Sequence, residues 1–168
     1  LHGHAGFHRA SHIICRFWAS HVVHHSSEKL NLSTAFRQSF TYPVSGMWLF
    51  WLPMPIIGFS PEMVVTMVIL SLAYQFFIDT RTQLVKKLGK WEVAPNTSHH
   101  RVRHGKNTDH IDKNYGGTLI IWDRLCGTFA EERGDTPVIY GITRQINSHN
   151  PLLPTLHEWR DMANDAFA

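Results

Sequence analysis

The sequence predicts an all-α, multi-pass helical membrane protein. Three observations support this fold class: thirteen histidines that include three short clusters, a long apolar segment without lysine or arginine, and cations on both flanks of that segment. A length of 168 residues fits one domain. We therefore expect residues 1–168 to form a single domain, truncated at its N-terminus because the chain starts inside the first cluster without a Met.

The histidine clusters have the spacing of metal ligands. They comprise His8 and His12, then His21, His24 and His25, then His99, His100 and His104. Residues i and i+4 lie on one face of a helix, so each cluster can present several imidazoles to one ion. Imidazole suits Fe, Zn, Cu and Ni. A single histidine is usually a surface or packing residue, and His110, His149 and His157 are interpreted that way. Three clusters in order predict a metal site.

Residues 8–25 are predicted to be helical, but not as one straight helix. At 100° per residue, His21 would lie about 180° from His12, so the first two clusters would face apart. A break near residues 17–20, or two packed helices, is needed if both clusters serve one site.

Glu28 and Asn31 follow the second cluster, and each has two interpretations. They can orient ligand imidazoles through hydrogen bonds, or they can cap the next helix. Asn31 and Ser33 are good N-cap candidates for a helix that runs into Phe36 and Phe40.

An apolar hairpin is predicted over about residues 44–78. From residue 38 to residue 80 the chain contains no Lys or Arg. One span needs about 20 apolar residues, so this stretch suits two short helices with a turn near residues 58–62. Pro53 and Pro55 should kink the first helix, which membrane helices tolerate where neighbours satisfy the backbone.

The flanking charges predict the topology of this hairpin. Cations precede it at Arg9, Arg16, Lys29 and Arg37, and follow it at Arg81, Lys86, Lys87 and Lys90. Cations at both outer ends and none in the turn indicate entry from the cytoplasmic side. We therefore expect an integral membrane protein whose histidine clusters face the cytoplasm. The alternative is a buried hairpin of a soluble helical protein, since each half is short and interrupted.

Two more helical segments are predicted near the C-terminus. Residues 118–129 form an amphipathic segment with Trp122 and Leu125 on one side and Asp123 on the other. A final helix follows the proline-containing stretch 150–154. Its expected core positions are Leu156, Trp159 and Met162.

The remaining composition excludes other classes of site. Cys15 and Cys126 are far apart and have no C-x-x-C partner, so neither a disulfide framework nor a cysteine zinc site is indicated. The net charge of +3 is modest, and no run of Lys and Arg with interleaved aromatics is present. Nucleic acid is therefore not an expected partner.

The number of clustered histidines favours two metal ions. A structural zinc site needs four ligands, usually including Cys. The chain has neither the Glu-x-x-His pattern of soluble di-iron bundles nor an H-E-x-x-H zinc-protease motif. Two Fe ions are favoured if oxygen is the reactant, because zinc has no redox chemistry. Zn can replace Fe in purified protein.

Several stretches of the chain resemble one family. They are H-R-A-S-H, W-A-S-H-V-V-H-H-S-S-E-K-L-N-L-S-T-A, S-H-H-R-V-R-H-G-K-N, D-K-N-Y-G-G and I-W-D-R-L-C-G-T-F. In this order they resemble the fatty acid hydroxylase/sterol desaturase superfamily, especially its bacterial sterol-desaturase-like and glyceryl-ether-oxidising members. The resemblance implies a membrane-bound non-haem di-iron oxygenase. It would hydroxylate or desaturate a sterol, a fatty acyl chain or a glyceryl ether with dioxygen.

The family's histidine motifs carry over with two departures. The first two motifs fall on His8, His12, His21, His24 and His25, and the third on His100 and His104. Arg103 occupies a position where the family usually has His, and Arg cannot act as a ligand. His99 is a candidate substitute ligand. Asp79 stands where relatives commonly carry His, although a carboxylate can still bind iron.

These departures leave alternatives open. One is a non-catalytic or impaired member that binds lipid or metal without turnover, and another is a zinc-dependent membrane hydrolase. For the oxygenase, electrons must come from an external donor of the b-type cytochrome, ferredoxin or pterin type, because no G-x-G-x-x-G fingerprint is present. In the D-K-N-Y-G-G loop, Asp112, Asn114 and Tyr115 either support the metal ligands or simply form turns.

Overall fold

The computed structural model describes residues 2–78, 97–117, 119–148 and 150–167. Over these ranges the secondary structure is helical, without a strand, and one isolated bridge pairs Gly105 with Tyr140. The all-α prediction is confirmed. The helices are α1 (His2–Ile13), α2 (Cys15–His25), α3 (Leu32–Ala35), α4 (Tyr42–Ser45), a 3-10 helix (Met47–Trp51), α5 (Pro53–Ile56), α6 (Pro61–Ile78), α7 (Thr97–Arg103), α8 (Ile121–Cys126) and α9 (Leu152–Phe167).

The break predicted within residues 8–25 is present, but it lies at Ile14 rather than at residues 17–20. Ile14 adopts an extended conformation (φ −89°, ψ 112°) between α1 and α2. Its carbonyl oxygen accepts a hydrogen bond from the Phe17 amide at 2.8 Å, so the second helix begins at once. The change of direction lets α1 pack against α2, which brings the first two histidine clusters onto facing helices.

The central helix is α2, which contacts α1, α4 and α9. Val22 and Val23 of α2 form the apolar core with Ile142, and Trp18 packs against them. The C-terminal helix α9 also contacts the residue before α4. The indole N–H of Trp159 donates a hydrogen bond to the Thr41 hydroxyl at 3.1 Å. The histidines of α2 are therefore held at the centre of the molecule.

The predicted hairpin forms in a different way from expected. Its first half is not one kinked helix, because it divides into α4, the 3-10 helix and α5. Gly46 ends α4 with φ 81°, a conformation that favours glycine. Pro53 then starts α5, where its missing amide hydrogen costs nothing. The second half is the uninterrupted α6. Among the helices that the structure describes, none is both long enough and apolar enough to traverse a bilayer.

Residues 79–96 lie outside the described part of the chain, and they include Asp79 and the cations predicted to follow the hairpin. On the described side, α6 and the short helices before it expose many apolar side chains, which we call the apolar surface. Its residues are Leu49, Leu52, Ile56, Ile57, Phe59, Met63, Val65, Met67, Ile69, Leu70 and Leu72. Ile56 is 82% exposed. Apolar surfaces of this kind mark contact with a membrane or another protein.

The helix after the second cluster starts as predicted but is shorter. The side chain of Asn31 accepts a hydrogen bond from the Ser33 amide at 2.9 Å, and Thr34 completes a capping box. This confirms the capping interpretation of Asn31. The helix ends at Ala35, so it does not run to Phe40.

The predicted faces of the two C-terminal segments are partly wrong. In α8, Asp123 is buried and Leu125 is 70% exposed, the reverse of the expected amphipathic arrangement. In α9, Trp159 and Met162 were predicted as core residues and are half-buried, whereas Leu156 is exposed and its neighbours Thr155 and His157 are buried. Asp123 of α8 is buried because its carboxylate accepts hydrogen bonds from amides of the preceding loop.

Candidate metal centre

The first group of histidines is formed by α1 and α2. His8 and His12 lie one turn apart on α1, with their Nε2 atoms separated by 3.2 Å. His21 and His25 repeat this arrangement on α2, with 3.1 Å between their Nε2 atoms. The ring centroids of His8 and His21 are 4.6 Å apart, so the two pairs face each other. One ligand atom from each of the four lies within 4.8 Å of the others.

A second group is formed by α2 and α7. His100 and His104 lie one turn apart, with 3.0 Å between their Nε2 atoms. His24 reaches them from α2, its ring centroid 4.6 Å from that of His104. The ligand atoms of these three residues also lie within 4.8 Å of one another.

The two groups adjoin each other. The rings of His25 and His104 stack with centroids 4.5 Å apart, so His25 of the first group contacts the second. The structure thus brings together seven of the eight histidines predicted as ligands, although residues 26–98 separate the second cluster from the third. Their binding of metal stays a prediction.

The eighth predicted ligand, His99, is not brought to either group. Its buried ring packs edge-on against Phe129, with centroids 5.4 Å apart. Successive residues of a helix point about 100° apart, so α7 cannot direct both His99 and His100 to the same place. The proposal that His99 substitutes for the missing motif histidine therefore lacks support from its position.

Burial keeps several of these imidazoles neutral. His8, His25 and His104 are each at most 4% exposed. Burial lowers the pKa of each of them well below the ordinary value, and the charges of Arg103 and of neighbouring histidines lower the pKa of His8 further. A neutral imidazole offers a lone pair to a metal ion. Burial therefore leaves these side chains in the protonation state that a metal ligand requires.

The distances between the Nε2 atoms of the histidine pairs can be compared with those expected for two imidazoles bound to one metal ion. Metal–imidazole bonds are about 2.0–2.1 Å long, so two nitrogens on one ion lie about 3 Å apart at right angles. The Nε2 pairs of α1, α2 and α7 are separated by 3.2, 3.1 and 3.0 Å. A donor set of imidazoles without thiolates suits Fe or Zn. Two ions fit, one in the group of four and one in the group of three.

Arg103, at the departure from the family motif, does not point into the centre as a ligand would. Its guanidinium is buried, and its Nε donates to the Asn114 carbonyl at 2.6 Å. Its Nη2 donates to the Gly116 carbonyl. Both acceptors are backbone oxygens of the loop that joins α7 to α8.

A buried hydrogen-bond network holds this loop. Asp123 accepts from the amides of Tyr115 and Gly116, each at 2.7 Å. The side chain of Asn114 bonds both the carbonyl and the amide of Ala130, at 2.7 and 2.9 Å. A Cβ on Gly116 would lie 2.5 Å from the Leu119 carbonyl oxygen, so glycine is required there. Asp123 was not predicted as a site residue, and its signal in the sequence is its place in the resembling stretch I-W-D-R-L-C-G-T-F.

The network places Asp112 and Tyr115 beside the first group. The Asp112 carboxylate lies 3.3 Å from Nδ1 of His12. A hydrogen bond from His12 lowers the pKa of Asp112, and one from Tyr115 lowers it further. The Tyr115 ring lies 5.2 Å from that of His12, and burial raises its pKa. By contrast, Glu28 is exposed at the end of α2 and the structure gives it no role at the centre.

An apolar cavity of about 930 Å³ adjoins both groups. Four of the clustered histidines line it, namely His8, His21, His24 and His100. Its apolar wall comes from α6 and the segment before it: Met47, Trp51, Met54, Phe59, Met63, Val64, Met67, Val68, Leu72 and Phe76. Hydroxyl and amide groups also line it: Ser20, Gln38, Ser39, Tyr42, Ser71 and Gln75.

Comparison with known proteins gives one family match. The fatty acid hydroxylase family model matches residues 5–128. The chain is 50% identical over 147 residues to alkylglycerol monooxygenase of Danio rerio, covering 87% of the chain and 32% of the relative. For the Homo sapiens protein of that name, identity is 43% over 156 residues, covering 92% and 34%.

A more distant relative is ornithine lipid hydroxylase of Rhizobium tropici, with 27% identity over 140 residues, covering 83% of the chain and 42% of the relative. The chain spans about a third of the length of the alkylglycerol monooxygenases it matches. No solved structure matches the chain significantly.

Proposed function

The chain belongs to the fatty acid hydroxylase family, and from this premise we propose that it forms the metal-binding part of a membrane-bound lipid monooxygenase. The observation that carries the proposal is the pair of histidine groups lining one apolar cavity. The names of the relatives at 43–50% identity favour an alkylglycerol as substrate over a sterol or a fatty acyl chain. Hydroxylation is accordingly favoured over desaturation.

Two iron ions would be held by the seven gathered histidines. The first ion would bind His8, His12, His21 and His25, and the second His24, His100 and His104. When bound, iron supplies the redox chemistry with dioxygen, using electrons from an external donor of the b-type cytochrome, ferredoxin or pterin type. The second ion would have three histidine ligands and the first would have four, so the second could bind more ligands from outside the protein.

The protein's own contribution is to bind and orient the lipid. An alkyl chain of the substrate would lie along the apolar wall of α6, where burial of each CH₂ contributes about 0.8 kcal/mol. A lipid bound along this wall would shield the histidines from water. Hydroxyl and amide groups of the cavity, such as Ser71 and Gln75, can bind the polar end of the lipid.

The apolar surface supports an integral membrane location, and the proposal that the histidines face the cytoplasm rests on the cations that flank the hairpin in the sequence. The side chains of the apolar surface flank the lipid cavity on α6, where Met63 and Met67 both line the cavity and are exposed. A lipid could therefore enter from the bilayer without crossing water. This location predicts that the protein stays with membranes after an alkaline wash and is released by detergent.

Arg103 favours one alternative, a family member that binds lipid or metal without turnover. It replaces a motif histidine and directs its guanidinium to the loop instead. The zinc-dependent hydrolase has no such supporting observation.

The test is metal analysis of the detergent-purified protein combined with product analysis of an alkylglycerol. We expect about two Fe per chain and a hydroxylated product that requires both dioxygen and an added reductant. Iron without product would support the non-catalytic alternative. Failure to bind Fe or Zn after reconstitution would refute the metal centre.

Filling the cavity is expected to block lipid oxidation while sparing the metal. Ser71 lines the cavity, so Ser71→Trp places an indole where the lipid lies. We expect the rate to fall by about tenfold or more, a loss of at least ~1.4 kcal/mol, with unchanged iron content. Leu70→Trp is the matched control, because Leu70 is 57% exposed and lies on the apolar surface. Equal losses in both variants would contradict this assignment of the cavity.

A further inference from the structure

We propose that Asp112 is a positioning residue for His12, fixing which ring nitrogen of His12 faces the other imidazoles. The inference rests on the proposed function in that it assumes an ion in the first group. It assigns a role to a loop residue outside the histidine motifs.

The geometry at His12 separates its two ring nitrogens. Nδ1 lies 3.3 Å from the Asp112 carboxylate, and Nε2 lies 3.2 Å from Nε2 of His8. An ionised carboxylate accepts only, so we infer that Nδ1 carries a hydrogen directed at Asp112. Nε2 then keeps its lone pair and faces the first group. Such outer hydrogen bonds fix the tautomer and ring orientation of metal-bound histidines.

The position of Asp112 is itself held by the surrounding fold. Its backbone has φ 58°, a left-handed conformation that is unusual for a residue other than glycine. Three residues further along the loop, the Tyr115 amide donates to the Asp123 carboxylate at 2.7 Å. Arg103 holds the carbonyls on both sides of Tyr115. Asp112 is therefore placed by contacts from α7 and α8.

Solvent exposure separates a positioning role from a structural one. The Asp112 side chain is 62% exposed, whereas that of His12 is 10% exposed. An exposed carboxylate contributes little to folding stability. Removing it should therefore leave thermal stability unchanged while it frees the His12 ring to rotate or change tautomer.

The experiment uses Co²⁺ as a probe on the metal-free, detergent-purified protein. We expect Asp112→Gly, which removes the carboxylate and tolerates the left-handed backbone of this position, to weaken binding of one of two Co²⁺ ions by about 10- to 100-fold and to change the visible d–d spectrum. Asp112→Asn keeps a side-chain oxygen that can accept from His12 and also tolerates this backbone, so it should restore part of both, and the thermal midpoint of both variants should stay as in the wild type. Asp109→Ala, which removes an exposed carboxylate from the same loop, should change neither readout.

Two outcomes would separate failure of this inference from failure of the proposed function. If Asp112→Gly binds both ions with wild-type affinity and spectrum while His12→Ala loses one, Asp112 does not position His12. If His12→Ala itself binds two ions as the wild type does, the proposed metal centre is wrong.

Discussion

Replacing His25 with glutamine is expected to reduce the iron content from about two ions per chain to less than one. His25 contributes to the first group, where its Nε2 lies 3.1 Å from that of His21. Its ring also stacks on His104 of the second group at 4.5 Å. Losing this imidazole therefore removes a ligand from one ion and a packing contact from the ligands of the other. Metal analysis of the purified variant measures the effect directly.

His99→Gln is the matched control for this experiment. His99 is also a buried histidine, but it packs against Phe129 and belongs to neither group. We expect this variant to keep both ions. The reverse result, with His99→Gln losing iron and His25→Gln retaining it, would restore His99 as a ligand and overturn the grouping.

Local spacing was enough to predict the histidine pairs within each cluster, but not that His99 would be left out. The i, i+4 pairs His8–His12 and His100–His104 follow from helix geometry alone, and the angle between His12 and His21 required the break that occurs at Ile14. The location of that break was not predictable, because no glycine or proline marks it. The direction of α7, which selects His100 over His99, depends on tertiary contacts that the sequence does not specify.

Polar side chains in loops were less predictable. Asp123 looked like an exposed residue of an amphipathic helix, yet its carboxylate is buried because two loop amides need an acceptor. The first half of the hairpin was predicted as one helix kinked at Pro53 and Pro55. Backbone geometry instead divides it at Gly46 and Pro53, and this division helps to form the cavity wall.

Arg103→His is expected to destabilise the protein rather than repair its metal centre. The family pattern alone suggests that histidine here would add a ligand. The contacts indicate a loss, because the buried guanidinium donates to the carbonyls of Asn114 and Gly116. A shorter imidazole cannot reach both, and a buried acceptor without a donor costs about 1–3 kcal/mol. Two such losses amount to roughly 2–6 kcal/mol.

This destabilisation should appear as a drop in the thermal midpoint of at least several degrees, since 1 kcal/mol corresponds to about 2–4 °C in a domain of this size. Iron content should fall with it, because the same loop carries Asp112 and Tyr115 to the first group. Arg144→His provides the control, as the Arg144 side chain is 80% exposed and its ion pair with Asp161 contributes little. If Arg103→His instead keeps the wild-type thermal midpoint and binds more iron, a histidine at position 103 can act as a metal ligand and the hydrogen bonds of Arg103 are not needed for stability.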